Sequence, residues 1–277
     1  MHVGHLQSVW RACSLRYLPL LDNRSIRKPN NHGPVRYCAG TMSSTYPVQA
    51  LVLGKVPYGE KAMIVKLWTR PYGIQSYMVH SIRSGKSGMR PALLLPMTSL
   101  EALVTHRNKG QLEKMPEVRV AHLWTRLSSD PMGQALCLFS AELLLKTLRD
   151  GDSTSAFFDD VMEMLERWDQ PGQSLAMATV ELLTLVAHHL GFAAEPETYK
   201  EGAVYDFKEG QFTAQALHHD AFLSAECSAA WMAWFKDVTH TPAKPLRQAL
   251  VDGLLMGLRW QHSSMGQIYS LDILRGL

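Results

Sequence analysis

Short runs rich in branched aliphatic and aromatic residues fill residues 47–123, and turn-forming stretches separate them. These stretches are PYGEK, RPYG, RSGKSGMRP and HRNKG, and such punctuation is typical of strands. In RPYG, Pro71 presets φ and Gly73 supplies a permissive position, which predicts a tight hairpin. Five short strands predict a small closed or nearly closed barrel. The five runs are VQALVLGKV, AMIVKLWT, IQSYMVHSI, ALLLPMTSLEALVT and LEKMPEVRVAHL.

From residue 130 onward the apolar positions follow the helical period instead of alternating. Leu136, Phe139 and Leu143 form one apolar stripe, and Gly191 closes a later one as expected of a C-terminal cap. The stretch EPETYKEGAVYDFKEGQF breaks the helical pattern. The predicted helices lie within 131–150, 152–169, 174–191, 220–238 and 245–263.

These patterns predict an α+β protein in two parts behind a basic leader. The β domain is expected at 42–123, and an all-α helical domain at 124–277 with a short non-helical insert near 195–215. The leader, residues 1–41, has no sustained period and contains RSIRKPNNHGPVR, which indicates loop or disorder. It is either a basic tail that adds affinity for a polyanion, or the result of a start site assigned too early. We favour the second interpretation, because MSSTYPVQALVLG from Met42 is a natural domain beginning.

The net charge of +3 conceals a strong asymmetry along the chain. Residues 1–41 carry a net charge of +5, residues 42–123 of +7 and residues 124–277 of −9. This polarity suggests that the β domain meets a polyanion and the helical domain does not. Two unlike domains with ordinary solvated faces would give the same totals, so charge alone does not decide. No apolar run approaches the length that spans a bilayer.

Several kinds of chemistry are disfavoured by spacing. The GKS at Gly85 lacks the glycine that a phosphate-binding loop needs at position 80, which is His80, and it leads into a strand. The adjacent histidine pairs and irregularly spaced cysteines do not form a zinc-ligand set. Cys137 and Cys227 lie in apolar helical context, where a thiol is inert. We therefore expect no enzyme, no cofactor and no metal site.

The basic residues of the β domain fall mostly in or beside turns, with aromatic residues between them. Basic groups bind phosphates and aromatic faces stack bases, a combination that suits single-stranded nucleic acid. Trp68 and Tyr77 could instead be core residues, and the lysines could serve solubility alone. The candidate base-stacking residues are Tyr58, Trp68, Tyr72 and Tyr77. The candidate DNA-binding residues are Lys55, Lys61, Lys66, Arg70, Arg83, Lys86, Arg90, Arg107, Lys109 and Lys114, and the loop 83–90 is favoured as a unit.

The order and spacing of several short motifs resemble the RecO family of bacterial DNA repair proteins, in the form found in Bacteroidetes. The resemblance covers residues 46–277. Its motifs are the turn Tyr58-Gly59-Glu60, the stretch from Thr69 to Gly73, the basic loop 81–87, Ala141-Glu142-Leu143-Leu144, His189-Leu190-Gly191-Phe192 and Leu271-Asp272-Ile273-Leu274. In the basic loop, Ser81 stands where the family has glycine.

This resemblance implies a five-stranded OB-fold barrel followed by a helical domain. It also implies a non-enzymatic mediator of homologous recombination in the RecF pathway, cytoplasmic and associated with the nucleoid. Such a mediator binds single- and double-stranded DNA and anneals complementary strands. It acts with RecR and single-stranded-DNA-binding protein to load RecA. The alternative is a protein-interaction scaffold whose basic barrel binds an acidic protein; a hydrolase with an unrecognised site is a third hypothesis.

Two departures from the family pattern matter. Many members carry a four-cysteine zinc module where this chain has the cysteine-free insert, so we expect no zinc module and a short hairpin with Glu209-Gly210 at its tip. Some members bind the acidic tail of single-stranded-DNA-binding protein through basic residues on the helix that ends in Leu190-Gly191-Phe192. The corresponding QSLAMATVELLTLVAHHLG has no Lys or Arg, so the docking site for that partner stays open, with His188 or a neighbouring element as substitutes.

Overall fold

The computed structural model describes residues 45–59, 62–80, 93–105, 112–149 and 155–277. The predicted leader, residues 1–41, and the basic loop, residues 83–90, lie outside these described residues. The described chain begins with six strands in the order β5-β3-β2-β1-β4-β6. They are β1 (Thr45–Tyr58), β2 (Ala62–Thr69), β3 (Gly73–His80), β4 (Ser99–Thr105), β5 (Glu113–Lys114) and β6 (Glu117–His122).

The sheet curls because its two terminal strands are consecutive in the chain. β5 pairs in parallel with β3, while β6 pairs antiparallel with β4, and only Met115 and Pro116 separate them. Side chains reinforce this closure: Thr105 Oγ1 donates to Glu113 Oε2 (2.8 Å), and the Lys114 amide donates to Thr105 Oγ1 (3.0 Å). The predicted number of five strands is therefore corrected to six. Pro116 has no N–H to donate, so LEKMPEVRVAHL forms two strands rather than one.

The inner face of the sheet holds an apolar core. Residues that alternate along β1, such as Val48, Ala50 and Val52, pack there with Leu67 and Tyr77 from the neighbouring strands. Past Val52 the register shifts by one residue, a bulge that bends the long strand β1 and helps the sheet curl. The hairpin predicted at RPYG is present: β2 ends at Thr69, β3 begins at Gly73, and Gly73 has φ of 63°.

The helical part contains every helix that the apolar period predicted. Its helices are α1 (Arg126–Ser129), α2 (Pro131–Thr147), α3 (Ser155–Asp169), α4 (Ala178–His189), α5 (Ala225–Lys236), α6 (Lys244–Gln261) and α7 (Ser270–Arg275). Asp130 caps α2 by accepting from the Gly133 amide (3.1 Å). Gly191 follows the end of α4 with φ of 84°, which fits its predicted role as a cap. No helix among the described residues is long and apolar enough to cross a membrane.

A three-stranded sheet interrupts the helices. The prediction of an all-α helical domain is therefore wrong. The expected hairpin is there, formed by β7 (Val204–Asp206) and β8 (Gln211–Thr213), and Gly210 at its tip has φ of 68°. The short strand β9 (Phe222–Leu223) pairs with the other edge of β7. β9 follows residue 215, near which the non-helical insert was expected to end.

The outer face of the curled sheet packs against helices at one end. Trp68 of β2 is fully buried, and its ring centroid lies 5.2 Å from Phe157 and 5.1 Å from Phe158, both on α3. At the same end, Trp124 Nε1 donates to the carbonyl of Met97 (2.8 Å). Among the described residues, these contacts leave the outer face uncovered where β1 and β2 approach their shared hairpin end, at Val56, Tyr58 and Lys66.

Candidate nucleic-acid interface

Pairing between neighbouring strands places residues of β1, β2, β3 and β5 on one surface of the sheet. Val56 pairs with Ile64, Ile64 with Met78, and Met78 with Lys114. Paired residues project from the same face of a sheet, and along each strand these residues alternate with residues that point inward.

Two further residues lie on the same outer surface. Lys66 pairs with Gly54, and Tyr58 pairs with Ala62, which places Lys66 and Tyr58 there as well. We call this surface the lysine face; its members are Val56, Tyr58, Ile64, Lys66, Met78 and Lys114.

The lysine face combines positive charge with exposed apolar surface. The side chains of Lys66 and Lys114 are exposed, Val56 is 62% exposed and Tyr58 is 55% exposed. Ile64 and Met78 are half-buried between them. No member of the face is acidic. Ammonium groups beside an apolar floor and an open aromatic ring can hold phosphates while bases lie against the floor.

Burial corrects the base-stacking prediction for two of the four aromatic residues. Trp68 and Tyr77 are both fully buried, Trp68 against α3 and Tyr77 in the core of the sheet, so neither ring offers a face to a base. Burial, followed by the neighbouring Glu113, raises the pKa of Tyr77 well above its ordinary value. Tyr72 is half-buried against the same core. Tyr58 is therefore the one candidate that the described structure leaves broadly open.

Four of the predicted basic residues lie within the described chain, and they do not share one surface. Lys66 and Lys114 lie on the lysine face. Lys55 is half-buried and pairs with Val65, a core residue, which puts it on the inner side of the sheet. Arg70 lies in the turn after β2, where it makes a two-point ion pair with Asp159 of α3. The predicted residues outside the described chain are Lys61, Arg83, Lys86, Arg90, Arg107 and Lys109.

The apolar members of the lysine face were missed by the sequence analysis, although their signal was present. In AMIVKLWT, Val65 and Leu67 alternate with Ile64 and Lys66, so a strict period of two places Ile64 beside Lys66 on the outer face. Val56, Ile64 and Met78 are neither charged nor aromatic, and for that reason they were not among the predicted site residues. These side chains supply the apolar part of the surface.

The helical domain shows no comparable basic surface at the position that the resemblance suggests for partner docking. α4 is almost wholly buried, and its Glu181 accepts from Trp168 Nε1 (2.8 Å) while pairing with Arg167. The free thiols Cys137 and Cys227 are buried as predicted, and burial raises the pKa of Cys137 to about 12. Across the described residues no group of three or more His, Cys, Asp or Glu could hold a metal ion.

The fold and the lysine face define a two-part α+β protein whose N-terminal β domain carries a cationic surface. Residues 42–124 match the family described as Recombination protein O N terminal. DNA repair protein RecO of Flavobacterium psychrophilum is 30% identical over 166 residues, 60% of this chain and 69% of the relative. DNA repair protein RecO of Porphyromonas gingivalis (strain ATCC 33277) is 28% identical over 208 residues, 72% of this chain and 82% of the relative. The chain belongs to the RecO family.

Proposed function

We propose that this protein is a DNA-binding mediator of recombinational repair, and that DNA lies across the lysine face. The observation that carries the proposal is one surface that combines two exposed lysines, an open tyrosine and an apolar floor, with no acid among its described members. Its relatives bear the name DNA repair protein, which agrees with a ligand of this kind. The protein is not an enzyme in this proposal.

The topology also supports an OB-fold for the β domain. β1 pairs with both β2 and β4, β3 runs parallel to β5, and the last segment of the sheet joins its two ends. In this view β5 and β6 are the two halves of the fifth OB-fold strand, interrupted at Pro116. OB-folds bind single-stranded nucleic acid along the face of their second and third strands, which here contribute Ile64, Lys66 and Met78.

Annealing follows from the same surface. Two complementary strands repel each other until their phosphates are neutralised, and a cationic face without base-specific contacts neutralises strands of any sequence. The protein would then bind single- and double-stranded DNA, bring complementary strands together and assist RecA loading together with RecR. The basic residues of the loop 83–90 would add further phosphate contacts.

The test is fluorescence anisotropy of a labelled single-stranded oligonucleotide at several salt concentrations. About five phosphate contacts give a log–log slope of roughly −3.5, and loss of two contacts makes it shallower by about 1.4. We expect that change in the double variant Lys66→Ala/Lys114→Ala. The matched control is Lys200→Ala/Lys208→Ala, two exposed lysines of the helical domain. Equal slopes for the two double variants would remove the lysine face from the proposal.

The same titration on a chain that begins at Met42 separates the β domain from the leader. A steep slope that persists without residues 1–41 supports binding by the β domain. A slope that disappears with them assigns binding to the leader and favours a protein-docking role for the β domain. Annealing of two complementary oligonucleotides, followed by energy transfer between their labels, then tests the mediator role directly.

A further inference from the structure

Two acidic residues of the β domain lie on strands that contribute nothing to the lysine face. Residues 42–123 contain four acids, of which Glu60 lies outside the described residues and Glu113 is buried. The other two, Glu101 and Glu117, lie on neighbouring strands. Glu101 of β4 pairs with Arg119 of β6, and Glu117 pairs with Leu103 two residues along. Both carboxylates therefore project from the outer face of β4 and β6, away from the lysine face.

These two acids line a cavity of about 480 Å³. Its volume lies within the range of sites that bind ligands or side chains of a partner. Apolar side chains form part of its wall and Gln49 adds an amide. We call it the acidic groove; it is lined by Pro47, Val48, Gln49, Glu101, Ala102, Leu103, Glu117, Val118 and Arg119.

The charges of the acidic groove favour a cationic ligand. Arg119 pairs with Glu101, but the arginine side chain is 78% exposed and the glutamate 42% exposed, and an exposed pair of this kind exchanges partners at little cost. Among the ion pairs of the described residues, none involves Glu117. The groove is thus lined by two carboxylates and one guanidinium. A polyanion is repelled here, whereas a lysine or arginine side chain finds a carboxylate and an apolar wall for its methylene stem.

The backbone beside the acidic groove offers a second point of attachment. β6 pairs with β4 along one edge, and no other described strand pairs with β6. An extended peptide can add to such an edge through main-chain hydrogen bonds, with alternate side chains reaching the adjoining pocket. The outward charges of Glu117 and Arg119 limit indiscriminate pairing, as is usual for edge strands.

We propose that the acidic groove and the edge of β6 dock an extended segment of a partner protein that carries Lys or Arg at alternate positions. The basic side chains contact Glu117 and Glu101, and the segment runs beside β6. The two carboxylates of the acidic groove lie on β4 and β6, which contribute no residue to the lysine face, and the proposal does not depend on the proposed function. The site would allow the β domain to hold a protein partner and a polyanion at the same time.

The probe is a short fluorescein-labelled peptide that alternates lysine and valine, titrated against the full chain at low salt. The variant is Glu101→Gln/Glu117→Gln, which keeps the size of both side chains. The control is Glu201→Gln/Glu209→Gln, which removes two exposed acids from the helical domain and reports any non-specific attraction to its negative charge. Thermal unfolding checks that all three proteins are folded.

We expect the groove variant to bind the peptide about fivefold more weakly, from the loss of two exposed charge contacts, with the control unchanged. Amide resonances of β6 should shift on adding peptide to the unaltered protein. Equal weakening in both variants, or no binding below about 1 mM, would overturn the proposal. Self-association abolished by the groove substitutions would also overturn it, because the groove would then be occupied by a second copy of the chain.

Discussion

Arg70 and Asp159 join the β domain to the helical domain through a two-point ion pair. Arg70 Nε lies 2.7 Å from Asp159 Oδ1, and Arg70 Nη2 lies 2.7 Å from Asp159 Oδ2. Hydrogen bonding with the carboxylate, followed by its charge, raises the pKa of Arg70, as expected for a guanidinium that stays positive. Both side chains are about half exposed, so the pair contributes little to stability. The ion pair nevertheless engages the guanidinium of Arg70, which the sequence suggested for DNA contact.

Release of Arg70 should therefore tighten DNA binding. In Asp159→Ala the guanidinium becomes free to meet a phosphate, so we expect affinity for a single-stranded oligonucleotide to rise by up to roughly fivefold at low salt. The salt slope should steepen by about 0.7, the value of one added phosphate contact. Anisotropy titrations at several salt concentrations measure both quantities.

The control for this prediction is Asp160→Ala, which removes the same charge from the next residue of α3. If both variants tighten binding equally, the effect is one of net charge. If Asp159→Ala weakens binding, the ion pair instead holds Arg70 where DNA needs it.

Tyr58 should contribute to binding of unpaired bases. Its ring is the exposed aromatic of the lysine face, and stacking of a base on such a ring contributes about 1–3 kcal/mol. Tyr58→Ala should weaken binding of a single-stranded oligonucleotide roughly 5- to 100-fold, and Tyr58→Phe should retain most of the affinity. Tyr269→Ala is the control, because Tyr269 is also an exposed tyrosine but lies just before α7 in the other domain. Loss of affinity in the phenylalanine variant would point to the hydroxyl rather than to stacking.

The sequence predicted the five longer helices, the hairpin near Gly210 and the positions of the main strands, because each has a local signature. The break between β5 and β6 had one too, since a proline inside a predicted strand removes a donor. β9 had none: Phe222–Leu223 is too short to show a period, and it becomes a strand only because β7 lies beside it.

The candidate site was harder to predict, because the side of the sheet on which a residue lies does not determine whether that residue is buried. Alternation places Tyr77 on the inner face and Trp68 on the outer face, and only Tyr77 is buried by the sheet itself. Trp68 is buried because α3 covers that end of the sheet, a contact between residues about ninety positions apart. Nothing local in the sequence distinguishes the covered end of the outer face from the open end at Tyr58.

Gly257 should resist substitution because α6 packs closely on the small sheet. A β-carbon there would lie 2.3 Å from Cδ1 and Cε1 of Phe207, whose ring is fully buried. Alanine raises helix propensity by about 1 kcal/mol, but overlap with a buried aromatic ring costs about 1–3 kcal/mol or more. We expect Gly257→Ala to lower the free energy of unfolding in urea by about 1–2 kcal/mol.

Gly253 of the same helix provides the comparison for that prediction. A β-carbon there meets only Cδ1 of Leu223 at 2.3 Å, the end of a flexible side chain that can change rotamer. Gly253→Ala should therefore cost less than Gly257→Ala. The double variant Gly257→Ala/Phe207→Leu should show coupling between the two positions. The opposite order of the two glycine variants would mean that α6 shifts as a unit.

Glu142 holds the beginning of α7 through one carboxylate. Glu142 Oε1 accepts from the Tyr269 amide (3.0 Å), and Oε2 accepts from the Ser270 amide (2.8 Å) and hydroxyl (2.6 Å). Lys146 Nζ lies 2.9 Å from Oε1. Burial opposes ionisation, but hydrogen bonds from Ser270, Lys146 and Tyr269 outweigh it and lower the pKa of Glu142 from 4.5 to about 2.

A lowered pKa means that the ionised carboxylate stabilises the fold, fully above about pH 4.5 and progressively less as the pH falls towards 2. We expect Glu142→Gln to be less stable than the unaltered chain by about 1–2 kcal/mol at neutral pH. That difference should shrink as the pH falls from about 4.5, because the glutamine does not titrate. Urea unfolding across this range measures it, with Glu166→Gln on the exposed side of α3 as the control. A difference that is independent of pH would show that the glutamine loses packing rather than charge.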